Sequence, residues 1–221
     1  MIGMTMQKKA VIFDMDGVLI DSEPFWQQAQ IDIMAQFGVH ITSIDCLQTM
    51  GLRIDALVTY WYQKFNLQGP GIAATTEDIV DRVIERIQTQ GLAKPGVRHA
   101  LELIAAKGLT IGLATSSPLR LAEVVLDRLA IKSFFAHYHS AEHEAYGKPH
   151  PAVYLSTAAE LGYTPAECIA IEDSFNGLLA AKSATMKTIV IPEAAHADDT
   201  RFSIADIQLH SLDELQRSHL E

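Results

Sequence analysis

The stretch Lys9-Ala10-Val11-Ile12-Phe13-Asp14-Met15-Asp16-Gly17 runs apolar for four residues and then ends in two carboxylates and a glycine. An unbroken apolar run, rather than an alternating one, predicts a strand covered on both faces. Two acids at the end of such a strand disfavour folding unless hydrogen bonds or a cation compensate. The pair therefore points to a hard divalent ion such as Mg²⁺. The plain alternative is a pair of turn aspartates accepting from backbone amides. An EF-hand is excluded, because Gly17 comes too early and no glutamate stands at the twelfth loop position.

Working outward, four more runs share this character: Leu109–Thr115, Phe134–Tyr138, Cys168–Glu172 and Lys187–Ile191. Between them, Val97–Lys107, Leu119–Leu129, Ala152–Leu161 and Leu178–Ala184 have the composition and length of helices. Alternation of this kind predicts an α/β fold with a doubly wound, mostly parallel, Rossmann-like sheet. Residues 20–93 read differently. Trp26, Ala29, Ile33 and Phe37 recur at helical spacing, as do Ile54, Leu57, Val58, Trp61 and Phe65, then Ile79, Val83 and Ile87. Thr75 and Asp78 read as a capping pair ahead of that last helix, and Lys94-Pro95-Gly96 as the turn back to the sheet. The expected organisation is a core of residues 1–19 and 94–221, with a helical cap, residues 20–93, inserted after the first strand. Such an insert stands over the carboxyl ends of the strands, where open α/β sheets bind ligands.

Composition narrows the possible partners. The 221 residues are 48% hydrophobic and carry 17 basic against 27 acidic side chains, a formal charge of −10. Disorder as the main state is excluded. A surface of this sign repels a phosphate backbone or an anionic membrane, so neither nucleic acid nor membrane is the expected partner. A single small phosphate remains possible, because a local cation can supply positive charge. No stretch approaches the ~20 apolar residues of a membrane span. Cys46 and Cys168 form no disulfide framework, which suits a cytoplasmic chain; a monomer is expected. Cys168 reads as a small buried hydrophobe. His139, His143 and His150 read as polar loop residues without metal-ligand context.

Three further clusters lie at the ends of later predicted strands. Thr115-Ser116-Ser117-Pro118 offers hydroxyls and free amides ahead of a helix, an oxyanion cradle or simply a helix cap. Gly147-Lys148-Pro149-His150-Pro151 puts a lysine in a Pro-flanked turn, either aimed into a site or solvated. Glu172-Asp173-Ser174, with Asn176-Gly177 opening the next helix, again asks for a cation.

Acid pair, hydroxyl, lysine and acid pair, in that order and each at a strand's carboxyl end, resemble the four motifs of the haloacid dehalogenase superfamily. The resemblance covers nearly the whole chain. It extends to Ile20-Asp21-Ser22-Glu23-Pro24 and to Gly51-Leu52-Arg53-Ile54-Asp55, where capped sugar-phosphate members carry a substrate loop. It implies a Mg²⁺-dependent phosphatase acting on a small phosphorylated sugar or polyol, of the hexose, hexitol or 2-deoxyglucose 6-phosphate kind. Asp14 is implied as nucleophile and Asp16 as general acid and base. Thr115 and Lys148 would bind the phosphoryl group, with Ser116 and Ser117 beside them. The metal would rest on Asp14, the main-chain carbonyl of Asp16 and Asp173, with Glu172 behind. Arg53 and Trp26 are the cap candidates for touching the sugar, by hydrogen bonding and stacking.

The same motifs are similar to those of β-phosphoglucomutase, which carries a cap-linker histidine where this chain has Trp26. A dehalogenase would lack Asp16, and a phosphonate hydrolase would want a cap lysine, for which Lys64 is the candidate. A receiver-like phosphoacceptor module gathers similar residues but needs no insert of this length.

Overall fold

In a computed structural model, which describes residues 7–49 and 51–221, the opening run forms β1 (Ala10–Phe13), buried along its whole length. The other strands are β2 (Thr110–Thr115), β3 (His137–Ser140), β4 (Cys168–Glu172), β5 (Lys187–Val190) and β6 (Ile207–Gln208). All pair in parallel, in the order β3-β2-β1-β4-β5-β6. Phe13 is level with Leu113 on one side and Ile171 on the other.

Alternate residues of β1 serve opposite layers, as strand geometry requires. Val11 and Phe13 join the apolar cluster of α5 (Val97–Ala106) and α6 (Leu119–Arg128), whereas Ala10 and Ile12 join that of α7 (Ala152–Glu160) and α8 (Phe175–Ser183). Each buried Val, Ile or Phe contributes about 1.5–3 kcal/mol, so the run that announces the fold also anchors both layers.

One strand position is corrected. The predicted strand at Phe134–Tyr138 lies later, at His137–Ser140, with a 3₁₀ turn over Lys132–Phe134 before it. Phe135 is buried edge-on against Phe13, ring centroids 6.2 Å apart, so this aromatic serves core packing rather than the ladder. The sixth strand, two residues long, is too short to leave a pattern.

The insert consists of α1 (Glu23–Gln36), α2 (Ser43–Cys46), α3 (Ile54–Phe65) and α4 (Ile72–Gln90). The predicted capping pair is not at a helix start. α4 begins at Ile72 behind Gly71, and Thr75, a turn inside, is buried and shares a hydrogen bond of 2.9 Å with the Tyr62 hydroxyl. Thr75 ties two helices together instead of ending one. Trp61, fully buried, donates to Gln30 Oε1 (3.0 Å), which also accepts from Thr49 (3.1 Å). Entry and exit run side by side: Ile20 and Ala93 form an antiparallel bridge, and the Lys94 amide donates to the Leu19 carbonyl (3.0 Å).

Candidate active site

β1 lies where the chain order reverses, with β2 and β3 on one flank and β4 to β6 on the other. Crevices at such a switch point take ligands. Asp14, the first residue beyond β1, donates its amide to the Ile171 carbonyl (2.9 Å), which holds it against the end of β4. There β4 ends in Glu172, followed by Asp173. Carboxylate oxygens of Asp14, Glu172 and Asp173 lie within 4.8 Å of one another.

Lys148 reaches this cluster from the loop before α7. Its ammonium donates to Asp14 Oδ1 (2.5 Å), Glu172 Oε1 (2.6 Å) and the Ala114 carbonyl (3.1 Å), and it is buried rather than solvated. The Tyr154 hydroxyl donates to the same Glu172 oxygen (2.6 Å). The second oxygen, Oε2, accepts from the amides of Asp173 and Ser174 (3.2 and 3.3 Å) and from the Ser174 hydroxyl (3.2 Å). Ser174 Oγ in turn accepts from the Gly177 amide (3.1 Å), capping α8, which starts at Phe175, one residue ahead of the Asn176-Gly177 pair expected to open it. Two glycines make room for these acids. Gly17 has φ of +79°, and a Cβ there would stand 1.9 Å from Asp173 Oδ2; at Gly177 it would stand 1.8 Å from Glu172 Oε1.

Asp16 is held apart from this cluster. Its Oδ1 accepts from the Ser22 hydroxyl (2.5 Å) and the Trp26 indole N–H (3.0 Å), and its Oδ2 from the Ser117 hydroxyl (2.7 Å). Trp26 thus touches Asp16 directly. Thr115 is fully buried and accepts from the Ser117 amide (3.0 Å). Among the described residues Ser116 Oγ is buried without a hydrogen-bond partner, and Ser116 and Ser117 line the cavity. Arg53 is placed elsewhere: its guanidinium grips Asp55 (2.7 and 2.8 Å) and donates to the main-chain carbonyls of Ala141 and Glu144 (3.0 and 2.8 Å). It latches the insert to the loop beyond β3, while its neighbours Gly51 and Leu52 line the cavity.

That cavity, of about 310 Å³, opens between sheet edge and insert, with Asp14, Asp16, Lys148 and Asp173 below and Trp26, Gln30 and Leu57 above. Ser22, Glu23 and Tyr154 are polar participants that the sequence reading did not single out. Ser22 and Glu23 stand in a stretch already quoted, while Tyr154 is hidden in the apolar pattern of α7.

The electrostatics follow from burial. Burial pushes Asp14 up to about 8; the Lys148 charge opposes this, while Glu172 and Asp16 add to it. Asp173 is raised well above the carboxylate range by burial and by Glu172 and Asp14. Burial alone would lower Lys148, yet the charges of Asp14 and Glu172 hold it above its ordinary value. Glu23, also at the cavity, is lifted to about 7 by burial, against a hydrogen bond from Gln27. Three clustered carboxylates against one lysine leave negative charge unbalanced. All the donors are hard oxygens, and Gly17 leaves Asp173 its place, so the residues fit a hard divalent cation.

A family model for haloacid dehalogenase-like hydrolases matches residues 8–185. Hexitol phosphatase B of Escherichia coli (strain K12) is 45% identical over 212 residues, covering 96% of each chain. The phosphorylated carbohydrates phosphatase of Thermotoga maritima is 34% identical over 82% of this chain and 83% of its own. CbbY from Rhodobacter sphaeroides, crystallised with phosphate, superposes with a TM-score of 0.86 at 24% identity, over 97% of this chain and 99% of that one, a likeness of fold. The chain belongs to the haloacid dehalogenase-like hydrolase family, and it is an enzyme of the phosphatase class. Among the described residues, no helix is long and apolar enough to cross a membrane.

Proposed function

We propose that the chain is a Mg²⁺-dependent phosphatase that hydrolyses small sugar or polyol monophosphates through an aspartyl-phosphate on Asp14, with residues 20–93 acting as the cap over a core of 1–19 and 94–221. The observation that carries this reading is Asp14 itself: a buried carboxylate at the switch point, held by Lys148 at 2.5 Å, facing a cavity with Asp16 on its other side. The hexitol and carbohydrate phosphatases named above support the substrate class.

Asp14 Oδ1 is engaged by Lys148, which leaves Oδ2 for in-line attack on phosphorus. The new bond joins that oxygen to phosphorus, and the bond from phosphorus to the sugar oxygen breaks. Asp16 gives its proton to the departing oxygen, then takes one from the water that attacks the phosphoenzyme, and Asp14 is restored. Two of the three groups on Asp16 are serine hydroxyls, which donate or accept by rotating. A change of protonation at Asp16 therefore needs a rotor flip and no movement of the backbone. Ser116 Oγ, partnerless and beside the cavity, suits a phosphoryl oxygen, as do the amides around Thr115. Lys148 holds Asp14 in place and faces the developing charge. Asp14, Asp173 and the Asp16 carbonyl would hold Mg²⁺, with Glu172 behind them; when bound, it offsets the repulsion between carboxylate and phosphate.

The insert suits a compact substrate because it closes the cavity from above. A mutase would need a proton carrier at Trp26, and an indole N–H is a donor only, here already bound to Asp16. The test is phosphate release from a panel of hexose, hexitol and deoxyhexose phosphates, with Mg²⁺ and with chelator. Multiple turnover confined to Mg²⁺ and to small sugar or polyol phosphates is expected. Equal turnover in chelator, or single labelling without release, would overturn the reading.

A further inference from the structure

Away from the cavity, on the edge strand β3, a second set of ligand-type side chains converges. His137 and His139 alternate with Tyr138 along β3 and so point to the same face, their rings 6.4 Å apart. Glu160, the last residue of α7, reaches both: its Oε2 lies 2.6 Å from His137 Nε2 and 3.1 Å from His139 Nδ1. One ligand atom from each of the three falls within 4.8 Å of the others.

We propose that His137 Nε2, His139 Nδ1 and Glu160 form a metal site separate from the catalytic one, taking a single borderline transition ion of the zinc type and fastening β3 to the end of α7. Four features of the cluster argue for it. First, two imidazoles and one carboxylate with an open side are the donor set of three-ligand zinc sites, and they are the wrong set for Mg²⁺.

Second, the spacing suits. Bonds of ~2.0–2.1 Å in a tetrahedron put ligand atoms about 3.3 Å apart. The 3.1 Å separation already matches, and the 2.6 Å one opens by a small turn of Glu160, whose side chain is 39% exposed.

Third, His139 is oriented from behind. Its Nε2 lies 2.8 Å from Glu144 Oε1, and both side chains are mostly buried. With the proton on Nε2 donated to Glu144, the Nδ1 lone pair is turned toward Glu160, as shared ligation of one ion requires. A carboxylate holding the far nitrogen of a ligating histidine is the usual support of a zinc-bound imidazole.

Fourth, Glu160 sits at the negative end of the α7 dipole, with no basic residue in that last turn. Glu160 supplies the carboxylate and His137 and His139 the imidazoles, with Glu144 behind His139 and His143 edge-on to it at 6.1 Å.

The experiment uses the full-length, tag-free chain, stripped of metal and dialysed against Zn²⁺ in a large excess of Mg²⁺, with metal content read by mass spectrometry. One retained zinc per chain is expected. Uptake should be at least tenfold weaker in His137→Ala/His139→Ala and in the surface variant Glu160→Gln, and unchanged in Asp173→Asn. Thermal midpoints should rise with Zn²⁺ for wild type and Asp173→Asn only. Co²⁺ in place of Zn²⁺ should give the visible bands of a four-coordinate ion in wild type and lose them in Glu160→Gln. Circular dichroism shows whether each variant folds; Glu160→Gln, at an exposed position, keeps the test open if the double variant does not. Equal zinc in wild type and Glu160→Gln, no zinc in wild type, or loss only in Asp173→Asn would each overturn the proposal.

Discussion

The carboxyl edge of the sheet and the helical insert above it both bury polar groups, in opposite ways. In the insert, Trp61, Gln30 and Thr49 form one neutral hydrogen-bonded set, and Tyr62 with Thr75 another. At the sheet edge, Asp14, Glu172 and Asp173 surround a single lysine, and burial lifts two of the three acids far above the carboxylate range. A satisfied neutral network adds rigidity at little electrostatic cost, whereas an unbalanced buried cluster opposes folding, which marks it as the candidate functional site.

Substitutions on the two sides should therefore separate stability from activity. The largest effect is expected at Lys148→Met, which removes the buried ammonium that pairs with Asp14 and Glu172. Urea unfolding of the metal-free protein should show a loss of about 3–5 kcal/mol, and phosphate release should fall by at least about a hundredfold even with Mg²⁺. Next comes Trp26→Phe, which removes one of three donors to Asp16. A drop in kcat of about tenfold, with KM little changed, is expected if the indole positions the acid. A rise in KM at constant kcat would make Trp26 a sugar contact instead. On the neutral side, Trp61→Phe should cost about 1–3 kcal/mol in thermal or urea unfolding and leave kcat unchanged.

The last comparison concerns pH. Glu23 titrates near 7 in the folded protein, above the ~4.3 of an unfolded glutamate. Between those values the native state holds the extra proton, so the Glu23 contribution to stability is present at low pH and is lost as pH rises through this window. Glu23→Gln should flatten the fall in stability between about pH 4.3 and 7; an unchanged slope would remove Glu23 as its source.

The two regions also differ in how far the residues alone reveal them. The strand around Val11 and Ile12, with its terminal acids, is legible because hydrophobic run and charge stand next to each other. The doubly wound sheet follows from repeats of that pattern. Lys148 carries no local mark of burial, and only its place in the series of motifs suggests its partner. Phe134 and Phe135 mislead because aromatic packing before a strand has the composition of the strand itself. Thr75 misleads because a hydroxyl one turn inside a helix is indistinguishable in sequence from a cap. The hold of Trp26 on Asp16, and of Arg53 on the carbonyls of Ala141 and Glu144, depends on where side chains point across the gap between insert and sheet. His139 reads in sequence as a polar loop residue without metal-ligand context; β3 lies later than the run suggested and puts it on one face with His137, and Glu160 reaches both from a helix only the fold brings alongside.

The most direct measurement is to mix enzyme with a sugar phosphate and Mg²⁺, quench within milliseconds, and map the phosphoryl group by peptide mass spectrometry. A phosphoryl adduct on Asp14 is expected in the wild type and a larger amount in Asp16→Asn, while Asp14→Asn should carry none and should lose at least about a thousandfold in turnover. A label on any other residue, or substantial turnover by Asp14→Asn, would contradict the role given to that buried carboxylate.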